Sequence, residues 1–251
     1  MLALAGIALF FGFVALGTWQ VKRLSWKLAL IERVQQRVHA SPVALPPQAE
    51  WARLDPAALE YQAVQARGQW LAAKTVLAQA ATELGSGFWV MTPLQLEPNN
   101  GQDGGQDGGQ VLVNRGFIPD SQRAAWSEPA YVASHTPAGP VDVSGLLRLS
   151  EPGGGFLRHN EPARQRWYSR DVAAIARAGG LGAAAPFFID AGIPAQTPPL
   201  PGASASQVPR PGMTVVRFHN NHLVYALTWY GLAAMVVGAA WLVARHGKKK
   251  A

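Results

Sequence analysis

The two ends of the chain constrain it most. Residues 1–21 carry no charged side chain, and no Lys, Arg, Asp or Glu stands between Arg217 and Arg245. About 20 mostly apolar residues suffice for a helix to cross a bilayer. Residues 223–244 give about 33 Å of helix, against a hydrocarbon core of about 30 Å. Only 15% of the 251 residues are charged, where soluble domains average about 25%. The ends therefore predict transmembrane helices at 1–21 and 220–244. A cleaved signal peptide is the competing reading of the first. It calls for a basic segment ahead of the apolar run, which is missing, and Trp19, Gln20 and Lys22 follow the small residues Ala15 and Gly17 at once.

The net charge of +7 is concentrated beside these ends, at Lys22, Arg23, Lys27, Arg245, Lys248, Lys249 and Lys250. No basic-aromatic motif of a nucleic-acid binder appears, so the bilayer is the expected partner and nucleic acid is not. The tail, 245–251, reads Arg-His-Gly-Lys-Lys-Lys-Ala and is expected in the cytoplasm. Two spans then place both termini there and the central region outside. Lys22, Arg23 and Lys27 fall on the outer side in this arrangement, which long domains tolerate because they translocate largely regardless of charge. Ala8 with Gly12, and Ala234 with Gly238, have the spacing that lets membrane helices approach closely.

Residues 22–41 read as a basic amphipathic juxtamembrane helix. Leu24, Leu28, Ile31, Val34 and Val38 recur at helical spacing with Lys and Arg between them, and Pro42, Pro46 and Pro47 end it. It either continues the first span or lies on the bilayer; a solvated face packed on the domain is the plainer alternative. From there to 219 the texture is β. Strands are predicted at 61–70, 75–81, 88–96, 111–118, 141–149, 187–190 and 213–218, and a helix at 170–178 capped by Asp171. The fold class expected is α+β: two transmembrane helices flanking a β-rich extracytoplasmic domain, a small barrel or sandwich with one or two helices. Loops are expected at 99–110 and 197–211. The first repeats Gly-Gln-Asp-Gly, but Asp103 and Asp107 lack the apolar alternation or closing Glu of a calcium loop.

Little chemistry is legible in the domain. There is no cysteine, which excludes disulfides, thiolate metal sites and covalent c-type haem. His39, His135, His159 and His219 show no metal-ligand spacing. No nucleophile elbow, Walker loop or dinucleotide fingerprint occurs, so no enzyme is indicated. His222 stands apart, at the head of the second span in Asn-Asn-His-Leu-Val-Tyr-Ala-Leu-Thr-Trp-Tyr. Tyr225, Ala226 and Trp229 follow one and two turns along. An interfacial aromatic belt explains these residues. So does an axial ligand: neutral imidazole binds haem iron, and the helix N-terminus with Arg217 or His219 could meet propionates. The residues alone leave both open.

Gly17-Thr18-Trp19-Gln20-Val21-Lys22-Arg23-Leu24-Ser25-Trp26-Lys27 resembles the motif closing the first span in the Surfeit locus protein one family. Val111 to Pro119, with Asn114-Arg115-Gly116 at its centre, is similar to that family's central signature, with Phe117 where Trp is usual. Arg166-Trp167-Tyr168-Ser169-Arg170-Asp171, Pro186-Phe187-Phe188-Ile189-Asp190 and the stretch 221–230 resemble its later segments, in order. The resemblance implies a cytochrome c oxidase assembly role in a bacterial inner membrane. It implies haem a as a carried cofactor, with His222 as axial ligand to the iron and Tyr225 and Trp229 beside it. Haem a synthase and the catalytic subunit of the haem-copper oxidase are the implied partners. Trp19, Gln20, Arg23 and Trp26 would form the corresponding junction on the first span, and Asn114, Arg115 and Gly116 a partner or structural motif. A scaffold that binds protein partners and not haem is the rival; an envelope hydrolase is more distant.

Overall fold

The computed structural model describes residues 1–98, 108–155, 157–193, 209–214 and 220–247. Much of both expected loops, most of the strand expected at 213–218, and Arg217 and His219 lie outside them. The chain divides into a helical unit, Met1–Gln35 with Val216–Ala251, and a β domain, Gln36–Val215.

Helix α1 runs unbroken through Leu2–Val38. The apolar span and the basic amphipathic stretch are thus one helix. No Gly or Pro interrupts residues 18–38, and the helix stops ahead of Pro42. The last helix of the chain, α6, covers His222–Gly247. Both are long and apolar enough to cross a membrane.

The β domain is built on β1 (Val43–Ala44), β2 (Ala63–Trp70), β3 (Val76–Thr82), β4 (Gly85–Leu96), β5 (Gln110–Pro119), β6 (Pro140–Leu149) and β7 (Ala184–Ala191). Five of them close into a barrel in the order β2-β6-β7-β5-β4, with β4 returning to β2 through Gly68↔Leu96 and Trp70↔Leu94. Of the two β architectures expected, the barrel is the one observed. Closure removes the exposed strand edges that an open sheet would leave. Pairing is antiparallel within the barrel except between β5 and β7, where Leu112↔Phe188 and Asn114↔Asp190 are parallel partners. β3 extends the sheet beyond β4, and β1 runs parallel to β2.

Alternation decides what lies inside. Val64, Ala66, Leu94, Leu96, Val111, Val113, Val143, Leu147, Phe187 and Ile189 come from all five barrel strands and form one buried cluster, with Leu45 and Trp51 from the preceding segment. The residues between them face the other way. Leu112 and Phe188 pack outward against Met91, Trp167 and α5 (Val172–Ala178) through Val172 and Ile175. Asp171 caps α5 as the sequence predicts, its Oδ1 accepting from the Ala174 N–H at 3.0 Å. Three short helices were not foreseen: α2 (Pro56–Leu59), α3 (Arg123–Ser127) and α4 (Pro129–Ser134). The latter two bury Trp126 and Val132 against Val90 and Ile118. Four to six residues are too short to show helical periodicity.

Candidate functional site

Within the helical unit, α1 and α6 pair antiparallel. Gln20 meets His222 at one end of the seam, and the rings of Phe13 and Trp229 stack with centroids 5.8 Å apart further along. Phe13, Gly17 and Gln20 on α1, and His222, Ala226, Trp229 and Ala233 on α6, keep the three- and four-residue steps of one helix face. Gly17, Ala226 and Ala233 are buried. A Cβ on Gly17 would lie 2.7 Å from the Tyr230 ring, so the helices meet there because a side chain is missing. The Thr18 hydroxyl donates to the Val14 carbonyl at 2.8 Å and accepts from the Tyr230 hydroxyl at 3.1 Å. The small-residue pairs expected to mediate helix contact do not do so. Nothing comes within 4 Å of a Cβ built on Gly12 or Gly238, and Ala8 and Ala234 are exposed.

His222 opens α6. The Asn220 side chain accepts its backbone N–H at 3.3 Å, as expected of an asparagine at a helix start. Its ring Nδ1 lies 2.8 Å from Oε1 of Gln20. A carbonyl oxygen only accepts, so with Oε1 facing the ring Nδ1 is the donor of this hydrogen bond. Among the described residues, no hydrogen bond to Nε2 is formed. Gln20 is 9% exposed, one of the few buried polar side chains among the described residues. Sequence reasoning assigned Gln20 only to a junction motif. The available signal was an amide on the same helix face as Gly17, where a polar group is costly unless paired.

The other two residues expected beside a cofactor, Tyr225 and Trp229, lie on α6 with His222. Trp229 is half-buried on the seam against Phe13, and Tyr225 is 53% exposed. Ala226 and Trp229 lie on the face that packs on α1. On α1, Trp19 and Trp26 are exposed, and the Arg23 guanidinium lies 4.5 Å over the Trp26 ring.

In the β domain, Asn114, Arg115 and Gly116 lie within β5, and each has a structural occupation. Asn114 donates from Nδ2 to Asp190 Oδ1 at 2.7 Å and accepts from the Gly116 N–H at 3.1 Å. Arg115 lies between the rings of Trp70 and Trp126, 5.3 and 5.5 Å from their centroids, and donates to the His135 carbonyl and the Thr136 hydroxyl. Burial lowers its pKa from the usual guanidinium value. Gly116 adopts φ +133°, and a Cβ there would lie 2.3 Å from the backbone of Arg210. That closeness lets Phe117 and Arg210 exchange backbone hydrogen bonds at 2.9 Å.

Asp190 gathers more than Asn114. It accepts from the Thr214 hydroxyl at 2.8 Å, from Arg170 at 3.1 Å and from Arg148 at 3.4 Å. Arg170 also pairs with Glu151, Nε to Oε2 at 3.1 Å. Burial alone would lower the Arg170 pKa; the charges of Asp190 and Glu151 more than offset it and raise it. Burial works to raise the pKa of Glu151, yet its bonds to Arg170 bring it below the usual carboxylate value. These charges are paired rather than poised for proton transfer. Among the described residues, no three His, Asp or Glu side chains gather as a metal site.

The comparisons with known proteins agree along most of the chain. The SURF1 family model matches residues 7–234. Surfeit locus protein 1 of Homo sapiens is 36% identical over 238 residues, which cover 87% of this chain and 69% of that protein. Surfeit locus protein 1 of Rattus norvegicus is 34% identical over 237 residues, 87% of this chain and 68% of the rat protein. A SURF1-like protein of Monosiga brevicollis is 31% identical over 242 residues, 92% of this chain and 82% of its own length. The span matched by the family model contains the seam residues from Phe13 to Ala233, the Asn114-Arg115-Gly116 motif and His222.

Proposed function

The chain belongs to the SURF1 family, and from that premise we propose that it is a non-catalytic, membrane-anchored assembly factor for a haem-copper terminal oxidase. In this reading it receives haem a from haem a synthase and delivers it to the catalytic subunit. Helices α1 and α6 anchor it as a multi-pass protein of a bacterial inner membrane. The basic residues after Ala244 hold the C-terminus in the cytoplasm, and the β domain lies outside.

One observation carries the haem reading. His222 presents an imidazole whose Nδ1 is engaged by Gln20 and whose Nε2 has no partner among the described residues. That is the donor chemistry an axial histidine needs. The residues therefore fit the group to this extent: His222 would hold the iron through Nε2. The iron, when bound, supplies a coordination position that a single protein ligand leaves exchangeable. This chain's own part is to hold the imidazole in one orientation at the head of α6. A second reading, a scaffold that binds protein partners and not haem, has its own support. The Ala226–Trp229 face is filled by α1, so helix pairing alone accounts for much of the motif.

The two separate by spectroscopy. Purified from cells that make haem a, the full-length protein is expected to carry a haem a spectrum that His222→Ala abolishes. Haem-free protein from such cells, with equal partner capture by wild type and variant, would establish the scaffold instead.

A further inference from the structure

Gln20 sits on α1, 202 residues from His222 in the chain, yet its Oε1 is the group that meets the His222 ring. We infer that Gln20 is a positioning residue for the haem ligand: it accepts the Nδ1 proton of His222, fixes the tautomer with the lone pair on Nε2, and makes the haem site a property of two paired helices. This rests on His222 being the iron ligand, as proposed above.

The physical argument has three parts. A free neutral imidazole distributes its proton between two nitrogens and turns about its side-chain bonds. A carbonyl acceptor on a neighbouring helix removes both freedoms, because only Nδ1–H can answer it. An acceptor on the distal nitrogen also makes the ligating nitrogen more basic, which strengthens its bond to a metal. Finally, Gln20 is buried on the seam, one helical turn from Gly17. Its position is set by the close approach at Gly17 and by the Thr18–Tyr230 bond, so the ligand is oriented only while α1 and α6 are paired. An amide suits this role. It accepts a hydrogen bond without adding a charge to the seam.

The test uses full-length protein in detergent, titrated with haem a and, as a second probe, haem b. Gln20→Met keeps the side-chain length without an acceptor, and Gln20→Glu keeps an acceptor that cannot donate. Gln20→Met is expected to bind about 10–100-fold more weakly and to show a lower iron–histidine stretching frequency in the ferrous state. Gln20→Glu is expected to retain binding with a raised frequency. Wild-type affinity and frequency in Gln20→Met would overturn the inference while leaving His222 as ligand. Equal loss in both Gln20 variants, with unchanged thermal unfolding, would overturn it as well. Retention of the wild-type spectrum by His222→Ala would instead remove the haem reading on which it stands.

Discussion

Asn114 and Asp190 are register partners on parallel strands, and the amide of one donates to the carboxylate of the other at 2.7 Å, with each residue 4% exposed. Asp190 is also the shared counter-charge of Arg170 and Arg148. Removing one member of a buried charged cluster leaves the others uncompensated, which costs about 3–5 kcal/mol. Asp190→Asn is therefore expected to lower stability by that order in denaturant unfolding of the detergent-solubilised protein. Asn114→Leu, which strands one carboxylate oxygen bond, is expected to cost less, about 1–3 kcal/mol. Wild-type unfolding in Asp190→Asn would show that the cluster contributes nothing to folding.

The contrast between strands and seam shows what the sequence could reveal. Strands β2 to β7 are legible because each falls in a short run punctuated by Gly, Pro or Asn. Asp171 announced α5 by its type and place. Barrel closure is not legible, since it rests on three residues at the end of β4, Leu94 to Leu96, that pair with β2 beyond the stretch paired with β3. His222 stood out as a titratable residue at the head of an apolar helix. Its partner did not, because an amide in a helix is unremarkable until the other helix is known. The small-residue spacing misled: Gly12 and Gly238 have the right interval but lie off the face that Gly17 and Ala226 define. Spacing gives a face, and only the partner helix decides which face is used.

Gly116 is expected to tolerate no side chain. Its φ of +133° disfavours any L residue, and an added Cβ would meet the Arg210 carbonyl group at 2.3 Å. The conformational part alone costs about 1–3 kcal/mol. Gly116→Ala should lower the unfolding midpoint and expose the backbone amides of Phe117 and Arg210 to hydrogen exchange. Protection of both amides at the wild-type level would contradict the bridge between them.

Gly17→Leu is expected to separate the two helices without unfolding the β domain. The side chain would collide with Tyr230 and pull Thr18 from the Tyr230 hydroxyl. The chain has no cysteine of its own, so Cys introduced at Phe13 and Trp229 reports on the seam without background. A short bifunctional thiol reagent should join that pair efficiently in the otherwise wild-type protein and poorly with Gly17→Leu. Equal yields would mean that close approach at Gly17 does not hold the helices together.

Acid should loosen the β domain through Glu151. Its carboxyl pKa is lowered in the folded protein because, against the opposing effect of burial, it accepts hydrogen bonds from Arg170 and feels that charge. A carboxylate whose folded pKa lies below its unfolded value of 4.5 contributes stability that is fully present above that value. The contribution is lost as pH falls from there through the lowered folded pKa. Thermal unfolding of wild type and Glu151→Gln should therefore differ most at neutral pH, and the two curves should converge below pH 4.5. Arg170 also pairs with Asp190, so losing the Glu151 charge removes only part of its pairing. A difference between the two proteins that stayed constant from neutral pH into the acid range would show that the glutamate acts through shape, not charge.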